Sequence, residues 1–160
     1  MLEVQAIAAD WKWIFLYPGL NVASVNELVV PVGTPFRVAL TSDTVMNAFF
    51  IPGLGGQIFA MAGMRTEMNL RAETPADMWG RNTQFSGKGF SGQEFKVRVV
   101  DARGFDAWLR HAGAADGKLT RESYDALVTR HSTAPVTTYS GFDAGLFDRV
   151  IAKYHAETHP

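Results

Sequence analysis

The sequence predicts an α+β fold, mainly β: a two-sheet sandwich followed by a helical carboxy-terminal extension. Three observations predict it. Segments rich in β-branched and aromatic residues recur at short spacing through the first hundred residues, separated by Gly, Pro, Asn and Asp. Apolar residues recur at helical spacing through the last sixty. The 160-residue chain is 47% hydrophobic, 19% charged and free of cysteine. A chain of this size buries roughly 68–70% of its unfolded surface, so its core needs no disulfide or structural zinc. The expected division is a sandwich over residues 1–100 and about three helices over residues 101–160.

The predicted strands are Leu2–Ala9, Trp11–Tyr17, Val25–Val30, Phe36–Ser42, Asn47–Ile51, Gln57–Met61, Met64–Ala72 and Phe95–Val100. In the second, Trp11, Trp13, Phe15 and Tyr17 share one face, while Ile14 and Leu16 make the other apolar, so both faces are expected to be covered. Tyr17-Pro18-Gly19, Pro31-Val32-Gly33, Pro52-Gly53 and Ser86-Gly87-Lys88-Gly89 mark turns. Seven or eight short strands in about a hundred residues suggest a two-sheet sandwich. The first predicted helix, Asp101–His111, sets Phe105, Trp108 and Leu109 at i, i+3 and i+4 and stops near Gly113. Thr120 is the expected N-cap of a second, with Tyr124, Leu127 and Val128 on one face. Asp143 is the expected N-cap of a third, which carries Leu146, Phe147, Val150, Ile151 and Tyr154. Ser132–Ser140, around Pro135, reads as an extended connector.

Charge is nearly balanced, 15 Lys and Arg against 16 Asp and Glu, so the basic stripe of a nucleic-acid binder is absent. Without cysteine there are no thiol nucleophiles, no iron–sulfur clusters and no thiolate copper sites. All four histidines, His111, His131, His155 and His159, lie in the tail, two of them close to the C-terminus. Met61, Met64 and Met68 could serve soft Cu(I), although thioethers most simply fill gaps in a core. Trp11, Trp13, Phe15 and Tyr17 could form a stacking platform for a ligand or an electron-transfer contact, although aromatic strands most simply pack. The glycine-rich segment from Gln84 to Gln93 has no following helix to complete a phosphate cradle.

Several blocks carry a resemblance: Asp10-Trp11-Lys12-Trp13, Val25-Asn26-Glu27, Ser42 through Pro52, and Gly56 through Met64. Together they are similar to subunit II of haem–copper respiratory oxidases. The resemblance implies a cupredoxin-like β-sandwich of Greek-key type. In the branch that oxidises cytochrome c, that domain holds a two-copper centre. Here Asn47 stands at the position of the first ligand histidine, and the ligand loop is shortened to Gly87 through Gln93, with Gly87, Gly89, Phe90 and Gln93 in the region of the lost site. The sequence therefore resembles the quinol-oxidising branch, subunit II of cytochrome o (bo3-type) ubiquinol oxidase. Phe105-Asp106-Ala107-Trp108 and the stretch Thr138 to Ile151 are similar to the helical extension of that branch.

What the resemblance implies is a complex that oxidises ubiquinol, reduces O2 to water and pumps protons. The domain itself is expected to be non-catalytic and to hold no cofactor, with the haems and copper in large subunit I. The expected partners are subunit I and the other oxidase subunits, and the expected location is the periplasmic side of the bacterial inner membrane. Membrane attachment is expected through N-terminal anchor helices lying outside this chain, which then reads as an excised domain with Met1 as an added start. Trp11, Trp13, Met61 and Met64 are the candidates for an interface or aromatic patch. The other readings are a copper-binding cupredoxin or chaperone with methionine ligands, and a free-standing binding module.

Overall fold

Strand β1 (Leu2–Ala9) pairs antiparallel with β2 (Lys12–Tyr17) and parallel with β5 (Phe36–Ser42), which centres the first sheet on the most apolar segments of the chain. The structure is a computed structural model that describes residues 1–84 and 93–158, with side chains described through residue 155. The remaining strands are β3 (Val22–Val25), β4 (Glu27–Pro31), β6 (Asn47–Ile51), β7 (Gly56–Ala60), β8 (Thr66–Leu70), β9 (Ala76–Asn82), β10 (Glu94–Val100) and β11 (Thr137–Tyr139). The helices are α1 (Ala102–Gly113), α2 (Arg121–Thr129) and α3 (Leu146–Thr158). One sheet has the order β11-β3-β2-β1-β5-β8 and the other β4-β10-β9-β6-β7.

Alternation along β1 and β2 sorts side chains into two cores. Val4, Ala6, Ala8, Trp13, Phe15 and Tyr17 point between the sheets, where they meet Phe49, Phe95 and Val97 of the second sheet. Ile7, Ile14 and Leu16 point the other way and are covered by Tyr124, Leu127, Leu146, Phe147 and Val150 of α2 and α3. Full burial of each such apolar side chain contributes about 1.5–3 kcal/mol. Both faces of the central strands are thus covered, as their composition requires. Helix α1 closes the sandwich: the Trp108 ring packs tilted against Tyr17, 5.0 Å between centroids, and its indole N–H donates to Glu27 at 3.1 Å. The segment after residue 100 supplies the edge strand β11 and shares both cores.

The predicted strand Val25–Val30 is two strands. Asn26 between them has φ 59°, so β3 stays in the first sheet while β4 crosses to the second. A lone Asn at positive φ tolerates this corner because its short amide bonds locally. Its Oδ1 accepts from the Trp13 backbone N–H at 2.7 Å, and its Nδ2 donates to the Ala134 carbonyl at 2.8 Å.

Strand β9 is absent from the sequence reading. Its inward positions include Gly80 and Asn82, which carry no apolar period, and its outward face shows Trp79 at 57% exposure. Gly80 is required there, since a Cβ would lie 2.0 Å from Cζ of Phe95. Met64 precedes β8 and is exposed, so it does not share a strand face with the buried-side Met68. The predicted cap Asp143 does not begin the third helix, which starts at Leu146. Its carboxylate instead accepts from the Arg121 N–H at 2.7 Å, at the first turn of α2. Thr120 does cap α2, and it shares a reciprocal capping box with Ser123. Part of the predicted connector Ser132–Ser140 is strand β11, pairing Thr137 with Val25.

Candidate functional site

Strand registers gather four connections at one end of the sandwich. Asn47 opposite Ala60 sets the β5–β6 loop beside the β7–β8 loop, and Phe49 opposite Asn82 brings in the end of β9. Glu94 opposite Arg81 adds the start of β10. The β1–β2 turn arrives through Ala9, whose carbonyl accepts from Gln93 Nε2 at 3.3 Å.

Asn47, Asn82 and Gln93 are all buried in this end, three carboxamides where a core would ordinarily hold apolar groups. Asn82 Oδ1 accepts from the backbone N–H groups of Ala48 at 2.8 Å and Gln84 at 2.9 Å, and its Nδ2 donates to Gln93 Oε1 at 3.3 Å. Asn47 Nδ2 donates to the Val45 carbonyl at 2.8 Å, while its Oδ1 is buried without a partner. These donors do not suit copper: they are neutral amides engaged in holding loops, and copper of the two-centre kind needs thiolate and imidazole. Among the described residues no cluster of His, Cys, Asp or Glu is placed to hold a metal ion. Gly87, Gly89, Phe90 and His159 lie outside the described residues.

The four residues expected at an interface separate. Trp13 is fully buried and packs edge-on against Phe49 at 5.3 Å and Phe95 at 5.7 Å, so it belongs to the interior and not to a surface. Its inward place follows from the alternation that buries Phe15 and Tyr17. Trp11 and Met61 are half-buried, and Met64 is 51% exposed. Val45 at 54% and Met46 at 38%, which the sequence does not single out, stand beside them on the β5–β6 loop. Lone exposed apolar residues are ordinary, but several on neighbouring loops make a patch.

The helices grip this same end through polar contacts that periodicity does not reveal. Asp43 accepts from Tyr124 Oη at 2.7 Å, Tyr154 Oη at 2.5 Å and Lys153 Nζ at 2.8 Å. The phenols sit on the packed faces of α2 and α3, so sequence reading counts them as apolar filling. A tyrosine on such a face is itself the signal, because its hydroxyl needs a partner when buried. Burial, together with the neighbouring Asp43 carboxylate, holds the Tyr124 phenol well above its ordinary pKa. His131 Nδ1 meets Asp10 at 3.0 Å, and His155 contacts the Gly63 carbonyl.

A two-sheet sandwich with three buried amides at its loop end, strapped by an aromatic helical segment, is the architecture of a cupredoxin-like domain. Residues 114–157 match the family model described as the COX Aromatic Rich Motif. The chain is 41% identical over 96% of its length to ubiquinol oxidase subunit 2 of Acetobacter aceti, and 40% identical over 96% to cytochrome bo(3) ubiquinol oxidase subunit 2 of Pseudomonas putida. It spans about half the length of these relatives, 50% and 49% respectively. The periplasmic domain of cytochrome oxidase subunit II from Bradyrhizobium japonicum superposes with a TM-score of 0.65 at 28% identity, over 69% of this chain and 91% of that one. Over nearly its whole length, the chain is similar to about half of a ubiquinol oxidase subunit 2.

Proposed function

We propose that this chain is the periplasmic-side domain of subunit II in a haem–copper ubiquinol oxidase, where it seats on large subunit I and carries no electrons itself. The complex would oxidise ubiquinol, reduce O2 to water and pump protons, with its haems and copper in the large subunit. Ubiquinol delivers electrons from within the membrane, so the domain needs no copper relay. The observation that carries this reading is the buried cluster of Asn47, Asn82 and Gln93, whose amides brace the loop end in place of metal ligands. The kinship with quinol-oxidase subunits supplies the complex. Val45, Met46 and Met64 are the proposed contact with subunit I, because among the described residues they are exposed apolar side chains on those braced loops. Among the described residues no helix is long and apolar enough to cross a membrane, so any anchorage would come from other segments or subunits.

Two experiments test this. Val45→Asp with Met64→Asp, made in the full complex, should release subunit I on native gels and lower quinol oxidase activity. Full retention of both overturns the docking role. The isolated chain titrated with copper should show neither stoichiometric binding nor an intense visible band. Appearance of either overturns the copper-free reading.

A further inference from the structure

Helices α2 and α3 leave between them a cleft of about 640 Å³ that reaches Asp43. Arg121, Asp125, Arg149 and Lys153 line it together with Asp43, and Tyr124 and Val150 give it an apolar wall. Lys153 is engaged by Asp43 at 2.8 Å. Arg121 and Arg149 make no ion pair among the described residues. They outnumber Asp125, the remaining carboxylate in the lining. Nη2 of Arg149 is buried and has no acceptor. A buried guanidinium N–H without an acceptor is costly, and the half-buried Arg149 side chain relieves that cost if its fork turns to an oxygen entering the cleft. Guanidinium forks match the tetrahedral oxygens of phosphate, and the size of the cleft is in the range of small-molecule sites, larger than a bare anion needs.

We propose that the α2–α3 cleft binds a phosphate ester, with Arg149 and Arg121 on its phosphate and Tyr124 and Val150 against its organic part. The source is either a soluble phosphate ester or the headgroup of an anionic lipid. The test uses glycerol 3-phosphate, followed through backbone amide shifts of the 160-residue chain, and vesicles of phosphatidylcholine with or without phosphatidylglycerol. Glycerol 3-phosphate should shift amides of α2 and α3. Arg149→Gln should weaken that binding at least about tenfold, and Arg149→Lys by less. Should Arg149→Gln fail to fold, Arg121→Gln, at an exposed first-turn position, takes its place in both arms. Arginine-dependent binding of the soluble ester alone assigns the soluble source. Arginine-dependent retention on the phosphatidylglycerol vesicles assigns the headgroup. No localised shift and no such retention, equal binding by the charge-removing variant, or equal binding of glutarate at matched ionic strength overturns the proposal.

Discussion

Lys12 Nζ donates to the Arg130 carbonyl at 2.6 Å, so a side chain from the middle of the first sheet caps the end of α2. It also donates to the Leu127 carbonyl at 2.9 Å. The last carbonyls of a helix lack intrahelical donors, and a cation there also meets the negative end of the helix dipole. Lys12 is 1% exposed, and burial followed by repulsion from Arg130 draws its pKa below the ordinary value. Lys12→Met keeps the stem and removes the donor. It should cost about 2 kcal/mol and speed hydrogen exchange at the end of α2, with the sandwich amides less affected. Equal stability of the variant in urea denaturation would show that the cap contributes nothing.

Asn26 joins the two sheets, and its backbone and side chain make separable contributions. Asn26→Gly keeps access to φ 59° but loses both amide hydrogen bonds, and Asn26→Ala loses the bonds and adds backbone strain. The glycine variant should lose about 1–3 kcal/mol and the alanine variant about 1 kcal/mol more. Thermal denaturation of both variants settles the order, and a more stable alanine variant would refute the corner's dependence on positive φ.

Gly80 lies under the Phe95 ring, to which it is also register partner. Gly80→Ala should cost about 1–3 kcal/mol through overpacking. Phe95→Leu should relieve part of that cost, so the double mutant should be more stable than the sum of the single changes implies. Strict additivity in chemical denaturation would show that the contact is not the cause.

Asp43 holds two phenols and an ammonium, and removing it strands all three. Asp43→Ala should cost about 3 kcal/mol or more, whereas Tyr154→Phe, which deletes one bond, should cost about 1 kcal/mol. Hydrogen exchange in the Asp43→Ala chain should rise across α2 and α3 before it rises in β1 and β2. Uniform exchange across both regions would mean that the helices are not separately latched.

Alkaline pH should destabilise the fold. Burial raises the pKa of both Tyr17 and Tyr124 above the ordinary value of 10.0. Below pH 10 both phenols are protonated in folded and unfolded chains alike. Above it the unfolded chain loses protons that the folded chain keeps, so stability falls by about 1.4 kcal/mol per pH unit for each tyrosine. Lys12 acts oppositely between its lowered folded value and its ordinary 10.5, a single group against two. Denaturation followed from pH 9 upward (roughly one unit below the tyrosine onset) should show this decline, and Tyr17→Phe should make it shallower by about one proton. An unchanged slope in that variant would count against the phenol as its source.

The apolar strands were the legible part of the fold. β1, β5 and β6 keep their predicted bounds because their composition repeats at the strand period. The division of Val25–Val30 was hidden, since Asn26 inside an apolar run reads as a polar interruption until its φ is known. β9 was hidden because Gly80 answers to Phe95, a residue fifteen positions later, and not to its own neighbours. The amide cluster was half legible: the sequence points to Asn47 and Gln93 but not to Asn82, their buried companion.

By itself, the sequence determined the chemistry that is missing and the architecture that remains. Zero cysteine and Asn47 are properties of composition and position, and strand and helix periods depend on near neighbours. Only the tertiary structure decided which polar groups meet. Lys12 with Arg130 and Asp43 with Tyr124 and Tyr154 are separated by 81 to 118 residues, and Arg149 Nη2, without an acceptor, is placed by a cleft. Local pattern shows that a side chain is buried, but only the packed chain shows what satisfies it.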